Sequence, residues 1–177
     1  MTYTKDIQEK AKHIKLIVFD VDGVLTDGKI YLAEDGNELK AFHVHDGLGI
    51  VLLLKNNIDV AIITARESKI VANRMQALGI KYLYQGANNK ETAILDLLEK
   101  TGLDNGNIAY LGDDLIDLPA MKHCGLKLAV SNAHDVVKNY SDCTTTNIGG
   151  NGAAREACEM ILNAQNKLES IINNYLN

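Results

Sequence analysis

Short apolar runs alternate with segments of helical periodicity along most of the chain. The runs predict strands over residues 14–20, 59–64, 81–85, 107–114, 126–130 and 142–145. Apolar residues at helical spacing predict helices over residues 4–13, 48–55, 67–78, 88–101 and 153–174. Strands that alternate with helices form parallel sheets. The pattern therefore predicts an α/β fold, a Rossmann-like doubly wound parallel sheet with helices on both faces.

Residues 29–44 interrupt this alternation. Two β-rich runs flank the acidic turn Glu34-Asp35-Gly36-Asn37, which predicts a β-hairpin that we call the flap. A hairpin that exposes apolar side chains is marginal on its own, so we expect the flap to pair between subunits. The second strand is predicted to continue through residue 44, and the spacing of two puts His43 and His45 on one face of a strand. Contacts with substrate or with another subunit are favoured for these histidines over a metal site.

Composition limits the classes of function. A chain of 177 residues, 46% of them hydrophobic and 23% charged, predicts one domain over residues 1–177. The net charge of −5 argues against nucleic acid as a partner, and no apolar run is long enough to span a membrane. The polar N-terminus does not resemble a targeting peptide, and the widely spaced Cys124, Cys143 and Cys158 are typical of free thiols. These features predict a cytoplasmic protein.

Polar residues stand where the predicted strands end or where the next helix begins. They are Asp20, Asp22, Thr64, Lys90, Asp113 and Asp114. In a doubly wound sheet these points converge on one crevice, where ligands bind. A carboxylate nucleophile, a cation, a hydroxyl and further carboxylates that hold Mg2+ suit phosphoryl transfer. Each residue alone has an ordinary explanation as a cap or a solvated side chain, so the inference rests on their joint occurrence.

The same residues resemble a known set of motifs. They occur within Asp20-Val21-Asp22-Gly23-Val24, at Thr64, at Lys90, and within Gly112-Asp113-Asp114-Leu115-Ile116-Asp117. This order resembles the four motifs of the haloacid dehalogenase superfamily of phosphohydrolases and extends over nearly the whole chain. The resemblance implies that Asp20 forms an aspartyl-phosphate, and that Asp22 protonates the leaving group and then activates water. It also implies that Thr64 and Lys90 bind the transferring phosphoryl group.

The resemblance further implies a magnesium site. Asp20, Asp113 and the backbone carbonyl of Asp22 would hold Mg2+ as the cofactor, and Asp114 or Asp117 would act through the residues around them. The presence of Asp22 favours a phosphatase over a dehalogenase, because a dehalogenase has no leaving alkoxide to protonate.

The spacing of the motifs leaves no room for a separate cap domain. About 41 residues separate Asp22 from Thr64, and about 25 separate Thr64 from Lys90. A capless site is open. It therefore acts on a macromolecular substrate or is closed by another subunit.

Further segments resemble one family within this superfamily, the 3-deoxy-D-manno-octulosonate 8-phosphate (Kdo 8-phosphate) phosphatases. They are residues 39–47, 82–86, 112–117, 149–156 and the tail 164–168. The family is capless and tetrameric and acts in lipopolysaccharide biosynthesis. The resemblance therefore implies a homotetramer with active sites at subunit interfaces, where the tail can reach a neighbouring site. It implies that a small-molecule sugar phosphate contacts His43, Val44, His45, Asp46, Gly47, Arg66 and Arg74.

Three positions depart from this family pattern. His45, Val51 and Asn151 stand where basic residues are common. Fewer cations would weaken the binding of an anionic substrate. Within the same reaction class, the alternative substrate is a nine-carbon keto-deoxy sugar 9-phosphate of the sialic-acid-precursor type.

Two other classes of protein are disfavoured. A phospho-accepting receiver domain also combines Asp, Thr and Lys on a parallel sheet, but its paired acids come first and its accepting Asp follows a middle strand. Here the Asp20-x-Asp22 motif comes first and an acid pair comes last. A catalytically silent interaction domain is disfavoured because every motif residue is intact.

Overall fold

The computed structural model describes residues 3–177, and its central feature is a parallel sheet of six strands. The strands in chain order are β1 (Leu16–Phe19), β2 (Tyr31–Leu32), β3 (Glu38–Leu39), β4 (Asp59–Ile63), β5 (Tyr82–Tyr84), β6 (Ile108–Gly112), β7 (Leu126–Ala129) and β8 (Cys143–Thr144). The helices are α1 (Lys5–Lys12), α2 (Val44–Lys55), α3 (Lys69–Leu78), α4 (Lys90–Thr101), α5 (Leu118–Met121), α6 (Asp135–Tyr140), α7 (Ala153–Ala164) and α8 (Leu168–Leu176). The sheet order is β5-β4-β1-β6-β7-β8, and β2 and β3 form a separate hairpin. The predicted doubly wound α/β fold is confirmed.

The strand β1 lies in the middle of the sheet and is buried along its whole length. It pairs in parallel with β4 and β6, so that Phe19 lies beside Ile62 and Leu111. The residue after each strand therefore reaches the same edge of the sheet: Asp20 after β1, Thr64 after β4 and Asp113 after β6. The convergence that the sequence predicted is thus a result of strand register.

The flap forms a hairpin shorter than its sequence suggests. Leu32 pairs with Glu38 and Tyr31 with Leu39 in antiparallel register. The next regular element, α2, begins at Val44. The prediction that the second flap strand continues through residue 44 is therefore wrong. His43 instead occupies the N-cap position of α2, and its ring meets that of His45 edge to face, with ring centroids 4.9 Å apart.

A contact far along the chain explains why α2 starts early. The carboxylate of Asp46, in the first turn of α2, accepts hydrogen bonds from the backbone N–H groups of Gly152 (3.3 Å) and Arg155 (2.8 Å). Gly49 lies so close to α7 that an added Cβ would come within 3.2 Å of Cys158 Cβ. The packing of α2 against α7 thus overrides the local preference for strand.

The predicted C-terminal helix over residues 153–174 is two helices. Asn166 adopts a left-handed conformation, with φ of 56°, between α7 and α8. Two neighbours bind backbone carbonyls of other elements: Gln165 donates to Ile14 (2.8 Å) and Lys167 donates to Asn56 (2.9 Å). These bonds hold the two residues on either side of the break. Asn166 can make the turn between them because Asn is among the residues that tolerate the left-handed region.

The remaining differences are small. The helix α6 was not predicted, since six residues are too few to show helical periodicity; His134 caps it by accepting a hydrogen bond from Val136 N–H at 3.2 Å. The short strand predicted over residues 142–145 is present as β8, at one edge of the sheet. In the part of the chain that the structure describes, no helix has the length and apolar character that a bilayer span requires.

Candidate active site

Asp20 lies at the bottom of the crevice and is only 3% exposed. The Nζ atom of Lys90, which begins α4, lies 2.8 Å from Asp20 Oδ1. Burial raises the pKa of Asp20 to about 6; the charge of Asp117 acts in the same direction and that of Lys90 opposes it. Burial also works against the charge of Lys90, but Asp20 and Asp117 outweigh it and raise its pKa. Thr64, likewise buried, lies in the same crevice.

Asp117 organises the floor of the crevice and is completely buried. Its Oδ1 accepts hydrogen bonds from Lys90 Nζ and from the hydroxyl of Tyr110, both at 2.7 Å. Its Oδ2 accepts from the backbone N–H groups of Asp113 (3.0 Å) and Asp114 (3.2 Å). These four bonds use the acceptor capacity of the carboxylate. Asp117 therefore holds Lys90 and the loop after β6 in place, whereas Asp114 is exposed at the mouth of the crevice.

Tyr110 belongs to the site but was not among the residues predicted from the sequence. It lies in the buried strand β6 and is fully inaccessible. A buried tyrosine hydroxyl needs a partner, so a tyrosine inside an apolar run is a signal that could have pointed to a buried acceptor nearby.

Asp113 has the properties of a metal ligand. Its Oδ1 is buried and has no hydrogen-bond partner among the residues that the structure describes. Oxygen atoms of Asp20, Asp113 and Asp117 lie within 4.8 Å of one another. Burial raises the pKa of Asp113 to about 8, and the charges of Asp117 and Asp20 contribute. An uncompensated oxygen among repelling carboxylates fits Mg2+, which prefers oxygen ligands. Hydrogen bonds occupy the acceptor positions of Asp117, so within this cluster Asp20 and Asp113 keep more carboxylate capacity for a cation.

Glycines allow the loops around the site to approach closely. Gly23 has a φ of +98°, and a Cβ on it would collide with the carboxylate of Asp113. A Cβ on Gly149 would collide with the carbonyl oxygen of Gly23. The loops after β1, β6 and β8 therefore approach one another this closely only because these positions lack side chains.

The crevice at the ends of β1, β4 and β6 contains a cavity of about 250 Å³. Its polar lining consists of Asp20, Asp22, Thr64, Arg66, Asp113 and Asp114. Carboxylates, one hydroxyl and one guanidinium thus face the same space. Every strand-end residue of the predicted set borders this space except Lys90, which lies beneath Asp20.

Of the residues predicted to bind substrate, one lines the cavity and the others lie elsewhere in the same chain. Arg66 lines the cavity, but residues 43–47 and Arg74 do not line it within one chain. Arg74 lies against Gly47, with its guanidinium carbon 6.0 Å from the centre of the Phe42 ring. Asp46 is 2% exposed and bound to the start of α7.

Lys40 is a second residue of the site that was not predicted from the sequence. Its side chain is 2% exposed and forms an ion pair with Asp22. Lys40 Nζ lies 3.5 Å from Glu38 Oε1, and Arg66 donates to the same Glu38 oxygen at 2.8 Å. No local signal separates this lysine from a solvated one, since the partner that matters, Asp22, stands 18 residues earlier in the chain.

Residues 83–156 match the family of haloacid dehalogenase-like hydrolases. A Kdo 8-phosphate phosphatase of Escherichia coli is 51% identical over 164 residues, which cover 93% of this chain and 87% of the relative. The chain belongs to the Kdo 8-phosphate phosphatase family. This confirms both resemblances inferred from the motifs.

Solved structures of Kdo 8-phosphate phosphatases agree with this assignment. The enzyme from Yersinia pestis has a TM-score of 0.93 at 46% identity, covering 94% of this chain and 90% of that one. The enzyme from Moraxella catarrhalis has a TM-score of 0.95 at 45% identity and covers 98% and 99% of the two chains. That structure contains a magnesium ion, a phosphate ion and Kdo. Membership of this phosphatase family argues against the receiver-domain alternative.

Proposed function

We propose that this protein is a Mg2+-dependent phosphatase that hydrolyses Kdo 8-phosphate to Kdo and phosphate in lipopolysaccharide biosynthesis. The observation that carries the proposal is the buried Asp20–Lys90 pair beside an Asp113 oxygen that has no hydrogen-bond partner among residues 3–177, in a chain 51% identical to a Kdo 8-phosphate phosphatase. The carboxylates, the cation and the hydroxyl supply the groups that phosphoryl transfer through an aspartyl-phosphate needs.

The reaction proceeds in two steps. A carboxylate oxygen of Asp20 bonds to phosphorus while the bond between phosphorus and the sugar oxygen breaks, and Asp22 gives its proton to that leaving oxygen. Asp22, now a carboxylate, then takes a proton from a water molecule. The water oxygen attacks phosphorus and breaks the bond to Asp20, which releases inorganic phosphate. Asp22 is thereby reprotonated and Asp20 is restored.

The other residues hold the phosphoryl group and the cation. Lys90 and Thr64 bind the phosphoryl oxygens, and Asp117 keeps Lys90 beside Asp20 through its 2.7 Å bond. Mg2+, held by Asp20, Asp113 and the backbone carbonyl of Asp22, supplies positive charge to the phosphoryl oxygens when bound.

The proposal includes a homotetramer with active sites at subunit interfaces. The flap and the start of α2 expose five large apolar side chains: Ile30 (60% exposed), Tyr31 (40%), Leu32 (71%), Leu39 (61%) and Val44 (73%). So large an apolar surface is costly for a monomer. Pairing of flaps would bury it and bring residues 43–47 and Arg74 of one subunit toward the open cavity of the next.

Substitution of Leu32 by Lys tests the assembly. We expect the wild-type protein to have the mass of a tetramer by light scattering, and Leu32→Lys to shift it to smaller species because the charge cannot be buried without a partner. The matched control is Leu95→Lys, on the exposed face of α4, where the side chain is 46% exposed. A monomeric wild-type protein, or a tetramer that tolerates Leu32→Lys, would contradict the flap-mediated tetramer.

The compartment and the extent of the domain are also part of the proposal. We infer that the enzyme works in the cytoplasm, because its three cysteines are free and two of them are buried. We also infer one hydrolase domain over residues 1–177 without a cap, since strands and helices from residue 7 to residue 171 contribute to a single apolar core.

One observation keeps the nine-carbon substrate as a second candidate. His45 and Asn151, two positions that depart from the family pattern, line the same surface cavity of about 410 Å³, together with Arg155 and Glu156. Their proximity means that both changes alter one patch of the molecule, where a larger sugar would meet a less basic surface.

Phosphate release in the presence of Mg2+ tests the substrate. We expect kcat/KM for Kdo 8-phosphate to exceed that for nine-carbon keto-deoxy sugar 9-phosphates and for hexose phosphates by at least about tenfold, a difference of about 1.4 kcal/mol in transition-state binding. A preference for the nine-carbon sugars would assign the second candidate. The absence of phosphate release from any sugar phosphate would contradict the phosphatase function itself.

A further inference from the structure

We propose that Lys40 is a positioning residue that holds the carboxyl group of Asp22 toward the leaving group; this inference rests on the proposed phosphatase function. Lys40 directly follows β3, the second strand of the flap. Asp22 lies in the loop after β1 and lines the cavity. The ion pair between them therefore joins the flap to the carboxyl group that handles the proton.

The position of Lys40 argues for this role rather than for substrate binding. Its side chain is 2% exposed, and it does not border the cavity that Asp22 and Arg66 line. Its ammonium group contacts two carboxylates of the protein, Asp22 and Glu38. A buried cation with both partners inside the protein has little capacity left for a substrate phosphate.

Asp22 needs such a partner. It belongs to a loop outside regular secondary structure, and its side chain is 27% exposed. Among residues 3–177, Lys40 is the only side chain that forms a hydrogen bond or ion pair with its carboxylate. Lys40 contacts Oδ1 of Asp22, which leaves Oδ2 to carry the proton. Without Lys40 no side chain among residues 3–177 would fix this carboxyl group, and proton transfer requires a donor held within hydrogen-bond reach.

The same chain of charges continues to the mouth of the cavity. Glu38 accepts a hydrogen bond from Arg66 at 2.8 Å on the oxygen that also faces Lys40. The order Asp22, Lys40, Glu38, Arg66 alternates in sign, so each member stabilises the next. The flap thus supplies Lys40 and Glu38, which hold the cavity-lining side chains of Asp22 and Arg66 in position.

The leaving group distinguishes positioning of Asp22 from a general structural role. Cleavage of a sugar phosphate expels a basic alkoxide, which needs the proton of Asp22. Cleavage of p-nitrophenyl phosphate expels a weakly basic phenolate, which does not. The later hydrolysis of the aspartyl-phosphate uses Asp22 with either substrate, but kcat/KM reports only the steps up to release of the leaving group. A residue that acts through Asp22 therefore lowers kcat/KM for the first substrate much more than for the second.

The experiment compares Lys40→Met with Asp22→Asn on both substrates, in the full chain with Mg2+. Lys40→Met is expected to lower kcat/KM for the sugar phosphate about 10- to 100-fold, and for p-nitrophenyl phosphate less than about threefold. Asp22→Asn should show the same selectivity, and adding Lys40→Met to it should cause no further selective loss. The matched control is Lys12→Met, which removes a lysine that also pairs with a carboxylate, Glu9 at 2.7 Å, but is half exposed on α1.

The outcomes separate the inference from the proposed function. Suppose that Asp22→Asn lowers kcat/KM selectively for the sugar phosphate. If Lys40→Met then lowers kcat/KM equally for both substrates, or for neither, the role of Lys40 alone is overturned. Asp22→Asn without selectivity would overturn the acid–base role of Asp22 and the inference with it. Should Lys40→Met fail to fold or change its mass by light scattering, Lys40→Gln decides by the same comparison, because it removes the cation of the ion pair while keeping a shorter polar side chain in its place.

Discussion

Replacing Asp20 by Asn is expected to abolish phosphate release without unfolding the protein. The amide is not a nucleophile toward phosphorus, so kcat should fall by about 10,000-fold or more. The fold should tolerate the change because Asn is nearly the same size, and Lys90 keeps its 2.7 Å bond to Asp117.

The raised pKa of Asp20 sets the sign of the effect on stability. Burial raises that pKa to about 6 from an ordinary value of 3.8, so the native state binds this proton more tightly than the unfolded state. The charged carboxylate therefore costs stability as pH rises from about 4 to about 6, and a neutral Asn avoids that cost. We expect the melting temperature of Asp20→Asn at pH 7 to equal or exceed that of the wild type.

Phosphate release and thermal unfolding, measured on the same preparation, check both expectations. The control is Asp135→Asn, the same substitution at a carboxylate that is 87% exposed on α6, which should keep full activity. Activity of Asp20→Asn above about 1% of wild type would contradict a nucleophilic role, since no other group could replace the lost bond to phosphorus.

The main features of the site could be predicted because they follow from strand positions. Asp20, Thr64 and Asp113 each stand one residue beyond a buried apolar run, and parallel register brings such positions together whatever the rest of the chain does. Periodicity is a local signal, and the convergence of strand ends is a general property of the fold.

The features that sequence alone could not give depend on contacts between distant residues. The start of α2 depends on Asp46 binding Arg155, 109 residues later. The end of α7 depends on Gln165 binding the carbonyl of Ile14, 151 residues earlier. Lys40 resembles any flap lysine until the fold brings it to Asp22. Periodicity carries no information about such pairs, because each partner alone fits several structures.

Replacing Asp113 by Asn is expected to remove the response to Mg2+ and, in the absence of metal, to stabilise the protein. Burial and the charges of Asp117 and Asp20 raise the pKa of Asp113 to about 8. The native state therefore binds this proton more tightly than the unfolded state, and the metal-free wild type should lose stability as pH rises from about 4 to about 8. Asn carries no charge and avoids this loss. At pH 8 in EDTA, the free energy of unfolding of the Asp113→Asn protein should exceed that of the wild type by about 1–3 kcal/mol.

Melting temperatures in EDTA and in Mg2+, at pH 6 and pH 8, measure both effects. Mg2+ should raise the melting temperature of the wild type more at pH 8 than at pH 6, because the ligand carboxylates must be deprotonated to bind it. Asp113→Asn should show almost no rise and no phosphate release, whereas Asp135→Asn should respond like the wild type. If Asp113→Asn keeps the rise in melting temperature that Mg2+ causes, residues other than Asp113 bind the ion. Lower stability than wild type at pH 8 in EDTA would mean that Asp113 is stabilised by contacts other than a cation, which contradicts a site built to hold one.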